Sequence, residues 1–177
     1  MRKALLLIPL LVLSGCTVRS SAAERVPRLY ASLPGFTARV SAVVDRGASE
    51  NDFVLLWTAE PGGSTVEIVK PDCVAGISAV VTEDARTLVC EGAALTLPET
   101  LSPLELLPLL GTEWKTPCAE CEASDKTVTL VYFETLGGSA LELRTRFDAQ
   151  TLCPLDAAVF RDGQRCALYR FDTFSPL

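Results

Sequence analysis

Residues 140–174 read ALELRTRFDAQTLCPLDAAVFRDGQRCALYRFDTF, and this stretch decides the fold. From Ala140 to Asp148, Leu141, Leu143, Thr145 and Phe147 share one face of an extended chain, and Glu142, Arg144 and Arg146 share the other. A period of two with one apolar and one charged face is a strand with a core side and a water side. Leu155 to Arg161 is a second run, and Cys166 to Phe174 a third. Between them stands Arg161-Asp162-Gly163-Gln164. Asp-Gly flanked by apolar runs favours the tight turn that joins antiparallel neighbours. Three strands in succession predict a meander.

The same grammar extends upstream. Phe36 to Asp45 alternates, with Phe36, Ala38, Val40, Ala42 and Val44 on one face. After a polar turn, Asp52 to Ala59 carries Phe53, Leu55 and Trp57 on one face and Val54 and Leu56 on the other, which predicts cover on both sides. Pro61-Gly62-Gly63 turns the chain into Ser64 to Lys70, and Val74 to Val81 follows with Gly76 as a bulge. Thr87 to Cys90, Ala94 to Leu97 and Thr127 to Glu134 are further strands. There is no βαβ alternation. The predicted fold class is mainly β, an antiparallel meander forming a curved sheet or half-barrel covered by one or two short helices.

Two segments have helical spacing. Glu24 to Leu33 places Val26, Leu29, Tyr30 and Leu33 on one face, with Pro27 in its first turn and Pro34-Gly35 as a stop. Ser102 to Leu110 begins with a capping serine and Pro103, and aligns Leu104, Leu107 and Leu110 with Leu106 nearby. Pro108 is expected to limit its length.

Composition excludes whole classes of function. The chain has 177 residues, 22 acidic and 16 basic side chains, a formal charge of −6 and no histidine. An acidic chain has little with which to neutralise phosphates, so no nucleic-acid partner is expected. Without histidine there is no Ser-His or Cys-His pair, and the commonest metal ligand is missing. No serine lies in GxSxG or SxxK, and the carboxylate pairs Glu83-Asp84 and Glu120/Glu122 read as solvated turns. Asp45, Asn51 and Asp52 lack the spacing of a calcium loop, and Gly62-Gly63 and Gly137-Gly138 punctuate strands rather than cradle phosphates. The chain is not expected to be an enzyme, and no cofactor or metal is implied.

The N-terminus is an address. MRKALLLIPLLVLSGC, residues 1–16, has a basic start at Arg2 and Lys3 and an apolar run from Ala4 to Leu13. About ten helical residues rise roughly 15 Å, half the hydrocarbon core, so this is a leader and not a span. Leu13-Ser14-Gly15-Cys16 resembles the lipobox of bacterial lipoproteins. That resemblance implies cleavage before Cys16 and acylation of its thiol, and several acyl chains hold a protein durably at a membrane. The expected organisation is a signal peptide at 1–15, a lipidated tether at 16–23 and one β domain at 24–177, outside the cytoplasm. Losing Arg2 and Lys3 makes the mature chain more acidic still, so the lipid and not the surface must anchor it.

With Cys16 acylated, six cysteines remain: Cys73, Cys90, Cys118, Cys121, Cys153 and Cys166. An even number outside the cytoplasm suggests up to three disulfides, with fifteen possible connectivities. Cys118-Ala-Glu-Cys121 has the spacing of a zinc or redox motif, but it lacks a second CxxC and any histidine, and its flanks read as a loop.

The order of elements, with Leu33-Pro-Gly-Phe36-Thr-Ala-Arg-Val, Glu67-Ile-Val-Lys-Pro71, Val74-Ala-Gly-Ile77 and Ser102-Pro-Leu-Glu-Leu-Leu, resembles the LolA/LolB-type lipoprotein-carrier superfamily. The later strings are also similar to LolA-like lipoproteins of spore-forming Gram-positive bacteria, among them a germination lipoprotein that partners a cortex amidase. The resemblance implies an eleven-stranded half-barrel closed by helices over an apolar cavity. Phe53, Leu55, Trp57, Leu143 and Phe147 from the sheet and Leu104, Leu106, Leu107 and Leu110 from the lid would line it, unless lid and sheet meet as a plain core. Two functions follow as expectations. One is an anchored lipoprotein holding a lipid or lipidated protein. The other is a non-catalytic partner or regulator of a cell-envelope or spore-cortex enzyme, with a mainly structural surface lipoprotein as a third reading.

Overall fold

The computed structural model describes residues 23–45, 50–82, 84–96, 102–136 and 138–177. The leader, Cys16 with its expected lipid, most of the tether, Glu83, Leu97 and Gly137 lie outside the described residues.

Eleven antiparallel strands form one curved, unclosed sheet in the order β6-β5-β4-β3-β2-β1-β11-β10-β9-β8-β7. They are β1 Phe36–Asp45, β2 Glu50–Glu60, β3 Gly63–Lys70, β4 Ser78–Thr82, β5 Arg86–Cys90 and β6 Ala93–Thr96, then β7 Glu120–Ala123, β8 Thr127–Leu136, β9 Ser139–Asp148, β10 Pro154–Arg161 and β11 Gln164–Pro176. The first six strands meander outward from the centre, and the last five meander back until β11 pairs with β1, Phe36 opposite Pro176. One connection crosses from edge to edge. It carries helix α2, Pro103–Glu113, over the face of the sheet. Helix α1 covers residues 23–32 and lies on the same face.

Core and water faces follow the predicted alternation. On β1, Phe36, Ala38, Val40, Ala42 and Val44 are buried, and on β9 Leu141, Leu143, Thr145 and Phe147 are buried. The β10–β11 turn is the expected one: Asp162 has φ 52° and Gly163 φ 79°, the left-handed pair of a two-residue hairpin. Val26 and Tyr30 of α1 are buried and Leu29 and Leu33 pack against the core, as the spacing predicts. The Tyr30 hydroxyl donates to the Leu152 carbonyl at 2.9 Å.

The structure corrects the sequence reading in five places. The short strand β7 replaces a predicted loop, so Glu120 and Glu122 stand on a sheet edge and not in a turn. Residues 74–77 do not extend β4. A 3-10 turn, Asp72–Val74, and Gly76 at φ 83° bring the chain round, and Ile68 exchanges hydrogen bonds with Gly76 and Ile77. Both faces of β2 are not covered. Leu56 is 42% exposed because both helices lie on the other side. Helix α2 does not stop at Pro108 but runs through it to Glu113. Pro108 forfeits one backbone hydrogen bond, yet Leu104 to Leu107, Leu110, Gly111 and Glu113 are all buried, and that burial outweighs the loss. Ser102 makes no side-chain cap to the backbone. Its hydroxyl donates instead to the Glu105 carboxylate at 3.0 Å.

Candidate functional site, a groove beneath helix α2

The nine side chains predicted to line a cavity come together, and what they build is packed. Leu55, Trp57, Leu104, Leu106, Leu107, Leu110, Leu143 and Phe147 are buried members of one core cluster, with Phe53 packed against it. The gap between lid and sheet is occupied by rings. Trp57 and Trp114 lie 5.5 Å apart, Trp114 and Phe147 5.5 Å, and Trp114 and Tyr30 5.1 Å. Phe36 meets Trp57 edge-on at 4.6 Å. Such contacts add to burial. Trp114, just past α2, donates its indole N–H to the Thr145 hydroxyl at 2.9 Å, which satisfies a buried polar residue of β9.

Close approach of α2 to the sheet depends on Gly111. A Cβ there would sit 2.6 Å from the Trp57 ring. A glycine within an apolar helix is the sequence signal of such an approach.

Space survives at the rim. A half-open groove of about 460 Å3 runs between α2 and the β2–β5 half of the sheet. It is lined by Pro108, Leu109 and Gly111 of α2 and by Phe36, Ser64 and Val81 of the sheet. Arg86, Lys115, Glu60 and Glu105 line it as well, so an apolar trough is edged by charges of both signs. The volume falls within the about 300–1,000 Å3 of ligand pockets. None of the nine predicted side chains lines it. The residues that do carried weak signals: Pro61-Gly62-Gly63 reads as a turn, and nothing in the sequence brings Arg86 to α2.

Two buried groups lie at the far end of α2. Glu113 is buried, and its carboxyl pKa is raised by burial and then by the neighbouring Glu134 carboxylate, against a lowering hydrogen bond from Thr116. Tyr132 on β8 is also buried, and its hydroxyl makes no hydrogen bond among the described residues. Burial raises its pKa first, then Cys118, Glu113 and Cys121. The six cysteines are thiols in the structure, with Cys73 exposed and the others half-buried. Among the described residues no three His, Cys, Asp or Glu side chains form a metal cluster, and no helix is long and apolar enough to cross a membrane.

No protein-family model matches the chain, and no curated protein matches its sequence. Solved structures do match. A LolA superfamily protein from Nitrosomonas europaea superimposes with a TM-score of 0.50 at 9% identity, covering 90% of this chain and 93% of that one. An uncharacterized conserved protein from Thermus thermophilus gives 0.53 at 15% identity, covering 89% and 86%. At such identities the likeness is one of fold, and it extends over nearly the whole of each chain. The eleven-stranded unclosed sheet, the helices on its concave face and these matches together give this chain the LolA-like fold.

Proposed function

We propose that the chain is a membrane-anchored extracytoplasmic lipoprotein that takes an apolar or amphipathic ligand, a lipid or the acylated end of a protein, beneath α2. The anchor rests on the sequence, through Leu13-Ser14-Gly15-Cys16. The observation that carries the ligand reading is the groove of about 460 Å3, lined in part by Phe36 and Gly111. Trp57 packs directly behind Gly111, so the predicted cavity residues form the support beneath the ligand. Apolar walls would bury an acyl chain, and Lys115 at the edge would meet an anionic head group.

Native mass spectrometry on the chain from Thr17, before and after solvent extraction, tests this. A bound mass that extraction removes is expected. A clean apo mass that stays unchanged after incubation with membrane lipids would overturn it. A second reading, a non-catalytic partner of an envelope enzyme, draws support from the filled interior and from Leu56 and Phe133, 42% and 56% exposed. It predicts that apo result.

A further inference from the structure

We propose that Cys118 and Cys121 are a redox pair, closing into a disulfide across Ala119-Glu120 and so fastening the edge strand β7 to the chain that leaves α2. The fold separates Cys166 from both Cys90 and Cys153. Four strands lie between Cys90 on β5 and Cys166 on β11, and the five strand spacings are about 24 Å along the sheet. A disulfide tolerates about 4.4–6.8 Å between Cα atoms. Cys153 precedes β10, whereas Cys166 faces the other end of that strand, where its thiol donates to the Val159 carbonyl.

Cys118 and Cys121 are different. Both pack against the core cluster. Cys121 stands opposite Leu130, two residues from Tyr132 and therefore on the same face of the sheet, and both thiols are near enough to the Tyr132 hydroxyl to raise its pKa. The chain bends at Ala119, whose N–H donates to the Val131 carbonyl at 2.9 Å, so the two residues are not held apart by a straight strand. Cys121 then enters β7 opposite Leu130.

The oxidant is another disulfide, R–S–S–R. One cysteine attacks it and expels RS⁻. The second cysteine attacks the mixed disulfide and expels the second RS⁻, and the two thiol protons leave with the two RS⁻ groups. Burial raises the Cys118 thiol above its ordinary range, so exchange is slow and the pair is a latch rather than a catalyst. The product holds β7, an edge of only four residues, by a covalent bond besides its ladder to β8.

The sequence supplies a clean assay. Cleavage after Lys115 and Lys126 releases residues 116–126, TPCAECEASDK, which contain these two cysteines and no other. The full chain is equilibrated with oxidised or with reduced glutathione, alkylated with iodoacetamide, digested without reduction and weighed. The expected result is a peptide two hydrogens lighter and unalkylated after oxidised glutathione, and doubly alkylated after reduced glutathione. Double alkylation in both buffers, or linkage of this peptide to another cysteine peptide or to glutathione, would overturn the proposal.

Discussion

Single atoms decide how closely α2 approaches the sheet. The missing Cβ of Gly111 is the clearest case, since any side chain there meets the Trp57 ring at 2.6 Å. Overpacking of this kind costs about 1–3 kcal/mol. Gly111→Ala is therefore expected to lower Tm by several degrees, since about 1 kcal/mol moves Tm by roughly 2–4 °C at this size. Thermal unfolding followed by circular dichroism checks it, and an unchanged Tm would mean that α2 has room to spare. Glu113 makes the opposite prediction. Its carboxyl is held above the ordinary value of 4.5 by burial and by Glu134, so the native chain binds this proton more tightly than the unfolded chain. Its contribution to stability is present below the ordinary value and is lost as pH rises through the raised native one. Glu113→Gln, which keeps a hydrogen-bond acceptor for Thr116, should raise Tm at pH 7, and the gain should vanish at pH values below the ordinary one. A Tm difference that does not change with pH would contradict this assignment.

At the scale of elements, local chemistry and tertiary packing share the decision. The β10–β11 hairpin is local, because Asp162 and Gly163 both occupy the left-handed region. Gly163→Ala places a side chain at φ 79° and is expected to cost about 1–2 kcal/mol, read as a lower denaturant midpoint with unchanged slope. The strands from Phe36, Asp52 and Ala140 were legible for the same reason: apolar side chains recur every second residue over eight positions or more. What could not be read locally was settled by neighbours. Strand β7 has only Glu-Cys-Glu-Ala, an alternation too short and too weakly apolar to read on its own, and is a strand because β8 offers it an edge. Residues 74–77 look like a strand start by composition, but Gly76 turns them back onto Ile68. Pro108 reads as a terminator, and burial of most of α2 carries the helix past it.

At the scale of the whole molecule, chain order explains where a ligand has room. Six strands lead outward from the centre and five lead back, so the link between the two edges must cross the sheet. That link is α2, and its fit against the sheet determines what is core and what is groove. The sequence marked the inward side chains of both layers, and they form one cluster. It did not mark the groove, because periodicity tells which way a side chain points but not whether the facing layer fills the space. Ladder pairing sets Ser64 and Arg86 on either side of Val81, and the crossing of α2 over β2 to β4 adds Leu109.

The central claim is that this groove takes an acyl chain, and blocking it tests that most directly. Ser64 is half-buried on the sheet wall, two residues from the inward-facing Val66. The measurement is the binding of a fluorescent fatty acid to the chain from Thr17 and to its Ser64→Trp variant, each shown to be folded by circular dichroism. We expect saturable binding by the unsubstituted domain and at least a tenfold weaker affinity in the variant. Equal affinity in the two, or no binding by either, would contradict the account.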